Sequence, residues 1–105
     1  HFMRALVAPR VVLSTDGLGD EWANPPGTQA AYRAAQPVFD FLGVPQNNLC
    51  HFRSGGHDQS PLDYEVLLDV ADWLFKDAPL ERDFSVRPNP DFEPKWSWRA
   101  PDAAQ

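Results

Sequence analysis

Two short strand-like segments, separated by a helical one, constrain this chain more than any other feature. Residues 11–15 are rich in β-branched side chains and alternate little between apolar and polar, which is typical of a strand buried on both faces of a parallel sheet. Residues 49–53 give a second, weaker strand. Because parallel strands need a long crossover connection, usually a helix, this order predicts an α/β fold with a parallel sheet.

Helical segments precede, separate and follow the two strands. An apolar stretch over residues 2–8 predicts a short first helix. The second helix is expected to begin at Gly27 or Thr28 and to end at Gly43. Pro37 lies inside its apolar pattern and predicts a kink or break near Gln36.

The third helix has the clearest start signal in the chain. Ser60 can cap it, Pro61 suits its first position, and Asp63 can complete a capping box. Its predicted apolar stripe consists of Leu67, Val70, Ala71 and Leu74. The periodic pattern is lost after residue 78, so we expect residues 1–78 to form the α/β part and residues 79–105 an extended tail rich in proline and tryptophan.

Two strands do not complete such a sheet, because they would leave backbone groups unpaired and an apolar flank bare. We therefore expect further strands from elsewhere. Residues 1–6 lack the features of a signal peptide and resemble the middle of a protein. The net charge of −6 argues against nucleic acid and anionic membranes as partners. Cys50 has no second cysteine with which to form an internal disulfide.

The loops that follow the two strands carry the acid–base groups. Catalytic groups of parallel α/β sheets collect beyond the carboxyl ends of the strands. The first loop contains Asp16, Asp20 and Glu21, and the second contains His57 and Asp58. If the strands are neighbours, a carboxylate can bond to one ring nitrogen and leave the other free to take a proton from a serine hydroxyl.

We expect His57 to be catalytic and Asp20 to be its partner. The two glycines before His57 provide the backbone freedom that a tight turn needs. The alternatives are an exposed turn histidine without a chemical role, or Asp16 or Glu21 in place of Asp20.

Trp22 follows the expected acid on the same loop, where a core residue is out of place. Its flat apolar face and single N–H donor suit a sugar ring, so we expect a substrate contact. The alternative is that Trp22 packs the loop down. His51, His57 and Asp58 do not have the spacing of a known metal motif, and no metal is expected.

These features resemble the C-terminal part of the α/β-hydrolase superfamily, in which serine, acid and histidine follow one another along the chain. Within it, the chain is similar to the glucuronoyl esterases, and the Asp-x-Trp loop and the Gly-Gly-His-Asp turn are the most specific part. The matching stretches are residues 5–10, 11–28, 30–44, 51–58 and 67–75.

The resemblance implies an incomplete α/β-hydrolase fold, with His57 as general base, Asp20 as acid and Trp22 as a uronic-acid contact. It implies hydrolysis of glucuronic acid esters that join glucuronoxylan to lignin, without a cofactor, by a secreted or periplasmic protein. Some members take their acid from an earlier strand, which leaves open whether Asp20 is the sole acid.

The nucleophile is expected in a missing N-terminal part of the same hydrolase, since no serine of the chain lies in a Gly-x-Ser-x-Gly context. The chain alone is therefore expected to be inactive. The alternatives are a carbohydrate acetyl esterase or another hydrolase of the same fold and, in a different class, a non-catalytic fragment.

Overall fold

A computed structural model of the chain describes residues 1–90 and 98–102. Its elements, in chain order, are α1 (Phe2–Ala5), β1 (Val12–Gly17), a 3-10 turn (Glu21–Ala23), α2 (Pro25–Phe41), a second 3-10 turn (Pro45–Asn47), β2 (Asn48–Arg53) and α3 (Pro61–Lys76). The predicted tail has no helix or strand in its described parts, residues 79–90 and 98–102. Its residues 91–97 and 103–105 lie outside the described residues.

The two strands pair in parallel, in register from Val12 opposite Asn48 to Gly17 opposite Arg53. The predicted α/β class with a parallel sheet is confirmed, and the first strand ends two residues later than predicted. Because the strands run in the same direction, the loops that follow them leave from one edge of the sheet.

Helix α2 begins earlier than the sequence predicts and is not broken. Asn24 caps it by accepting a hydrogen bond from the Gly27 backbone N–H at 3.2 Å. The helix continues through Pro37 to Phe41, so of the predicted kink or break near Gln36 the break does not occur. Proline removes one backbone hydrogen bond, and the burial of the apolar face of this helix outweighs that loss.

The core includes residues of α2, of β2 and of α3. Ala35 and Phe39 are fully buried, and Leu49 and Cys50 of β2 are nearly so. Burial raises the pKa of the Cys50 thiol to about 11. Among the described residues, no helix is long and apolar enough to span a bilayer.

The helices α2 and α3 lie on opposite faces of the sheet. In β2, Asn48 donates a hydrogen bond to the backbone carbonyl of Tyr32 on α2 at 3.1 Å. Arg53 pairs instead with Asp63 on α3. Side chains an odd number of positions apart in a strand point to opposite faces, so the two helices enclose the sheet between them.

Helix α3 begins with the predicted capping box, formed by Ser60 and Asp63. Its buried face differs from the predicted stripe, because Val66 and Val70 are buried whereas Leu67 and Leu74 are about half exposed. The prediction was therefore wrong for these two leucines. Both leucines lie one turn from Val70, at the margin of the buried face, and the described residues cover them only in part.

Candidate active site

Beyond the strands, the two loops are joined directly by backbone hydrogen bonds. We call residues 18–24 the acid loop and residues 54–60 the histidine loop. The Leu18 N–H donates to the Arg53 carbonyl at 2.7 Å, and the Gly19 N–H donates to the Gly55 carbonyl at 2.8 Å. The pairing of the strands therefore continues into the loops and brings their side chains together.

Two glycines permit this close approach. A Cβ atom on Gly17 would lie 2.4 Å from the carbonyl oxygen of Gly56 and 2.7 Å from that of Gly55. Gly55 itself has a φ of 103°, which L-residues with a side chain rarely adopt. The chain can therefore turn sharply before His57 while its carbonyl groups pass next to the end of β1.

The structure brings His57 and Asp20 into hydrogen-bonding contact. Nδ1 of His57 lies 2.6 Å from Oδ2 of Asp20. The other carboxylate oxygen, Oδ1, accepts a hydrogen bond from the Ala23 N–H at 3.3 Å and so caps the 3-10 turn. Asp20 is 9% exposed, whereas the side chain of His57 is 87% exposed. The acid is therefore fixed within its loop and the histidine is open to solvent.

The contact shifts the pKa values of both groups in opposite directions. The hydrogen bond that His57 donates to Asp20 raises the pKa of His57, and the negative charges of Asp20 and Asp58 raise it further. The hydrogen bond with His57 lowers the pKa of Asp20. Because Nδ1 is engaged, Nε2 is the nitrogen that remains available to exchange a proton. This arrangement suits a general base whose charged form is stabilised by a carboxylate.

The other candidate side chains do not join this pair. Asp16 lies within β1 and Glu21 opens the 3-10 turn, and in the described part of the chain Asp20 is the carboxylate bonded to His57. His51 lies in β2, edge-on to the ring of Phe84. Within residues 1–90 and 98–102, no three His, Cys, Asp or Glu side chains are close enough to bind a metal.

Trp22 is 98% exposed on the acid loop, two residues after Asp20. Its ring therefore does not pack the loop down, which was the alternative to a role in binding. The indole of Trp22 and the imidazole of His57 are therefore both open to solvent.

Arg53 is a residue of this site that the sequence predictions do not include. It ends β2, pairs with Asp63 and donates hydrogen bonds to three carbonyl groups of the histidine loop. The sequence signal that points to Arg53 is an arginine directly before a Ser-Gly-Gly-His turn. The acidic residue of a capping box follows ten residues later.

Comparison with known proteins shows that the chain is similar to carbohydrate esterases. The chain is 33% identical over 87 residues to Carbohydrate esterase MZ0003 from an unknown prokaryotic organism. The match covers 69% of this chain and 20% of the relative. It is similar in structure to a carbohydrate esterase family 15 (CE15) glucuronoyl esterase from Caldicellulosiruptor kristjansonii, with a TM-score of 0.80 and 37% identity over 88% of this chain and 24% of that one. No protein-family model matches the chain.

The chain thus spans about a fifth to a quarter of the length of these relatives. The resemblance to glucuronoyl esterases is confirmed, and so is the partial α/β-hydrolase fold. The structural similarity covers 88% of the chain.

Proposed function

We propose that this segment, similar to part of the carbohydrate esterases, belongs to a serine-type carboxylic ester hydrolase and supplies its general base, His57, and the acid partner, Asp20. The observation that carries the proposal is the 2.6 Å contact between His57 Nδ1 and Asp20 Oδ2 at the carboxyl edge of the parallel sheet. This edge is where α/β folds assemble their active sites.

The chemistry follows from the two nitrogens of His57. A serine outside this chain attacks the ester carbonyl while Nε2 takes the serine proton. Asp20 stabilises the imidazolium through Nδ1, and Nε2 then gives its proton to the leaving alcohol. In the second half of the reaction, His57 removes a proton from the water that attacks the acyl-enzyme and returns it to the serine oxygen as the acid product leaves.

We further propose that the substrate is a glucuronic acid ester of plant cell-wall xylan. The exposed indole of Trp22 supports this, because a flat apolar face with one N–H donor suits a sugar ring. The similar solved structure is described as a glucuronoyl esterase, which supports the same substrate class. The resemblance also favours a secreted or periplasmic location, where such polymers occur.

The test compares two substrates in the complete protein, a benzyl ester of glucuronic acid and an acetylated xyloside. His57→Ala should lower kcat/KM for whichever ester is hydrolysed by on the order of 10⁴- to 10⁶-fold, because the proton acceptor is lost. Trp22→Ala should lower kcat/KM by roughly 3- to 10-fold for the glucuronate ester alone, because an aromatic contact contributes about 0.5–1.5 kcal/mol.

The matched controls are His51→Gln, on the strand β2 that leads into the histidine loop, and Tyr64→Ala, an exposed aromatic residue on α3. Normal ester hydrolysis by His57→Ala would contradict the assignment of the base. Equal effects of Trp22→Ala on both substrates, or none, would favour the acetyl esterase instead. A complete protein that hydrolyses neither ester would favour the non-catalytic alternative.

A further inference from the structure

The guanidinium group of Arg53 connects three points of the histidine loop to the first turn of α3. Nε donates to Oδ2 of Asp63 at 2.6 Å. Nη1 donates to the Ser54 carbonyl at 3.0 Å, and Nη2 donates to the carbonyl groups of Gly56, at 3.3 Å, and of Asp58. One side chain therefore serves as donor to backbone groups along most of the loop.

Two of these carbonyl groups belong to the residues on either side of His57. A guanidinium is planar and its N–H groups point in fixed directions. Carbonyl groups bound to one guanidinium are therefore also fixed relative to one another. The backbone that carries the His57 side chain is thus held from both sides by a single rigid group.

Packing contributes little to the position of this imidazole. The side chain of His57 is 87% exposed, and the two residues before it are glycines. Gly55 also has a positive φ of 103°, so the loop adopts a turn that few residues tolerate. Polar contacts must therefore fix the direction in which His57 leaves the loop.

Asp63 anchors the guanidinium to the body of the protein. The side chains of Arg53 and Asp63 are 9% and 2% exposed. The same oxygen, Oδ2, accepts a hydrogen bond from the Ser60 N–H at 2.8 Å. Burial alone would raise the pKa of Asp63, but hydrogen bonds from Ser60 and Arg53 together outweigh it and keep that pKa below its usual value. The anchor therefore stays charged at neutral pH.

We propose that Arg53 is a positioning residue for His57, holding the histidine loop so that Nδ1 stays in contact with Asp20. The proposal rests on the proposed function, because it assumes that His57 is the general base. Arg53 itself acts through the loop backbone. Its loss should let the loop move, so that the contact with Asp20 forms only part of the time.

The competing explanation is that the Arg53–Asp63 pair only stabilises the fold. Two readouts separate these explanations. Loss of a positioning residue lowers kcat with little change in KM, whereas a merely structural pair changes only the amount of folded protein. The loss also lowers the pKa of His57, since Asp20 and Asp58 are the charges that raise it and Asp20 acts through the contact that Arg53 maintains.

The experiment uses the complete protein with Arg53→Met and Arg53→Lys, and Arg82→Met as the control. Arg82 forms an ion pair with Asp69 on α3 at 2.8 Å, away from the histidine loop. Lysine retains the charge opposite Asp63 but has one nitrogen and cannot reach three carbonyl groups. We measure kcat and KM per folded molecule, the pH dependence of kcat/KM, and the titration of the His57 ring by NMR.

Both Arg53 variants should lose about 10- to 100-fold in kcat, because displacement of a catalytic group by about 1 Å costs about that much. Their KM should stay within about twofold, and the acid limb of the pH profile and the NMR titration of His57 should move to lower pH. Arg82→Met should match the unchanged protein. If Arg53→Met fails to fold, Arg53→Lys carries the test because it retains the buried pair.

Unchanged kcat and an unchanged His57 titration in folded Arg53→Lys would overturn the positioning role. That outcome differs from failure of the proposed function, which His57→Ala tests independently. If His57→Ala is inactive and Arg53→Lys behaves like Arg82→Met, the positioning role fails and the general base stands. If His57→Ala is active, the proposed function fails, while the NMR titration still reports whether Arg53 holds His57 against Asp20.

Discussion

The acid loop and the histidine loop leave the same edge of the sheet but are held in different ways. The acid loop is ordered within itself, since it forms a 3-10 turn at Glu21–Ala23 that Asp20 caps. The histidine loop forms no helical turn and is held by Arg53 and by the acid loop beside it. One loop is therefore stabilised locally and the other from outside.

In the acid loop, one residue both holds the loop in place and takes part in the chemistry. In the histidine loop, two different residues have these roles. Asp20 both caps its own loop and bonds to His57. In the histidine loop, Arg53 holds the backbone and His57 carries the imidazole. Substitutions should therefore affect structure and catalysis separately in the histidine loop, and together in the acid loop.

Among the substitutions that test this comparison of the two loops, the largest effect is expected for Asp20→Asn in the complete protein. The amide removes the charge that stabilises the imidazolium and favours the wrong tautomer of His57, so kcat should fall about 10³- to 10⁴-fold. The acid limb of kcat/KM should also move to lower pH, because the hydrogen bond to Asp20 raises the pKa of His57 in the unchanged protein. Steady-state kinetics between pH 5 and pH 9 measure both effects.

The matched control for this substitution is Glu21→Gln, the same change one residue along the same loop. It should leave kcat within about threefold, because exposed charges contribute little. A loss smaller than tenfold in Asp20→Asn would indicate that the acid lies on another strand. A large loss in Glu21→Gln would indicate that the charge of the loop matters more than the contact with His57.

Local signals made much of this arrangement predictable from the sequence. Ser60 and Asp63 predict the start of α3, and the β-branched run at residues 11–15 predicts β1. The meeting of Asp20 with His57 follows from one further step, the parallel pairing of two strands that each end in a polar loop. Such inferences depend only on residues that are close in sequence or lie on adjacent strands.

The features that could not be predicted depend on contacts between distant elements. Pro37 normally ends a helix, but the burial of Phe39 keeps α2 continuous. The exposure of Leu67 depends on which side of α3 meets the sheet. The role of Arg53 depends on where three carbonyl groups converge. Propensity and periodicity contain no information about such contacts.

A smaller effect is expected where the two loops meet, at Gly17. In Gly17→Ala, the new Cβ atom would lie 2.4 Å from the Gly56 carbonyl oxygen, and this backbone atom must shift. We expect a loss of about 1–3 kcal/mol in the free energy of unfolding, typical of overpacking. Urea unfolding followed by circular dichroism measures it.

Gly56→Ala is the control for this change, because a Cβ atom there meets nothing within 4 Å. It should change the free energy of unfolding by less than about 0.5 kcal/mol, as open surface sites do. Equal losses in both variants would show that the histidine loop does not depend on its close approach to β1. The contrast between a locally ordered loop and one held from outside would then be wrong.

The smallest effect is expected in the pH dependence of stability. The raised pKa of His57 contributes stability below the ordinary histidine value of about 6.5, which is lost as the pH rises through the folded-state value. The lowered pKa of Asp20 contributes stability above about 3.9, which is lost as the pH falls through its folded-state value. The pair therefore stabilises the fold most between these two values.

Unfolding of the protein and of His57→Gln at pH 5.5 and pH 8.5 isolates this contribution, because other titrating groups cancel in the difference. His51 is one such group, since burial lowers its pKa and makes its own contribution rise with pH. The advantage over His57→Gln should be present at pH 5.5 and shrink at pH 8.5, and it should be small because His57 is exposed. An advantage that grows with pH would contradict the pairing of a protonated His57 with Asp20. The catalytic rate should show the opposite pH trend, because the neutral imidazole of His57 is the base. The complete protein should therefore be most active at the pH at which the contact between His57 and Asp20 contributes least to stability.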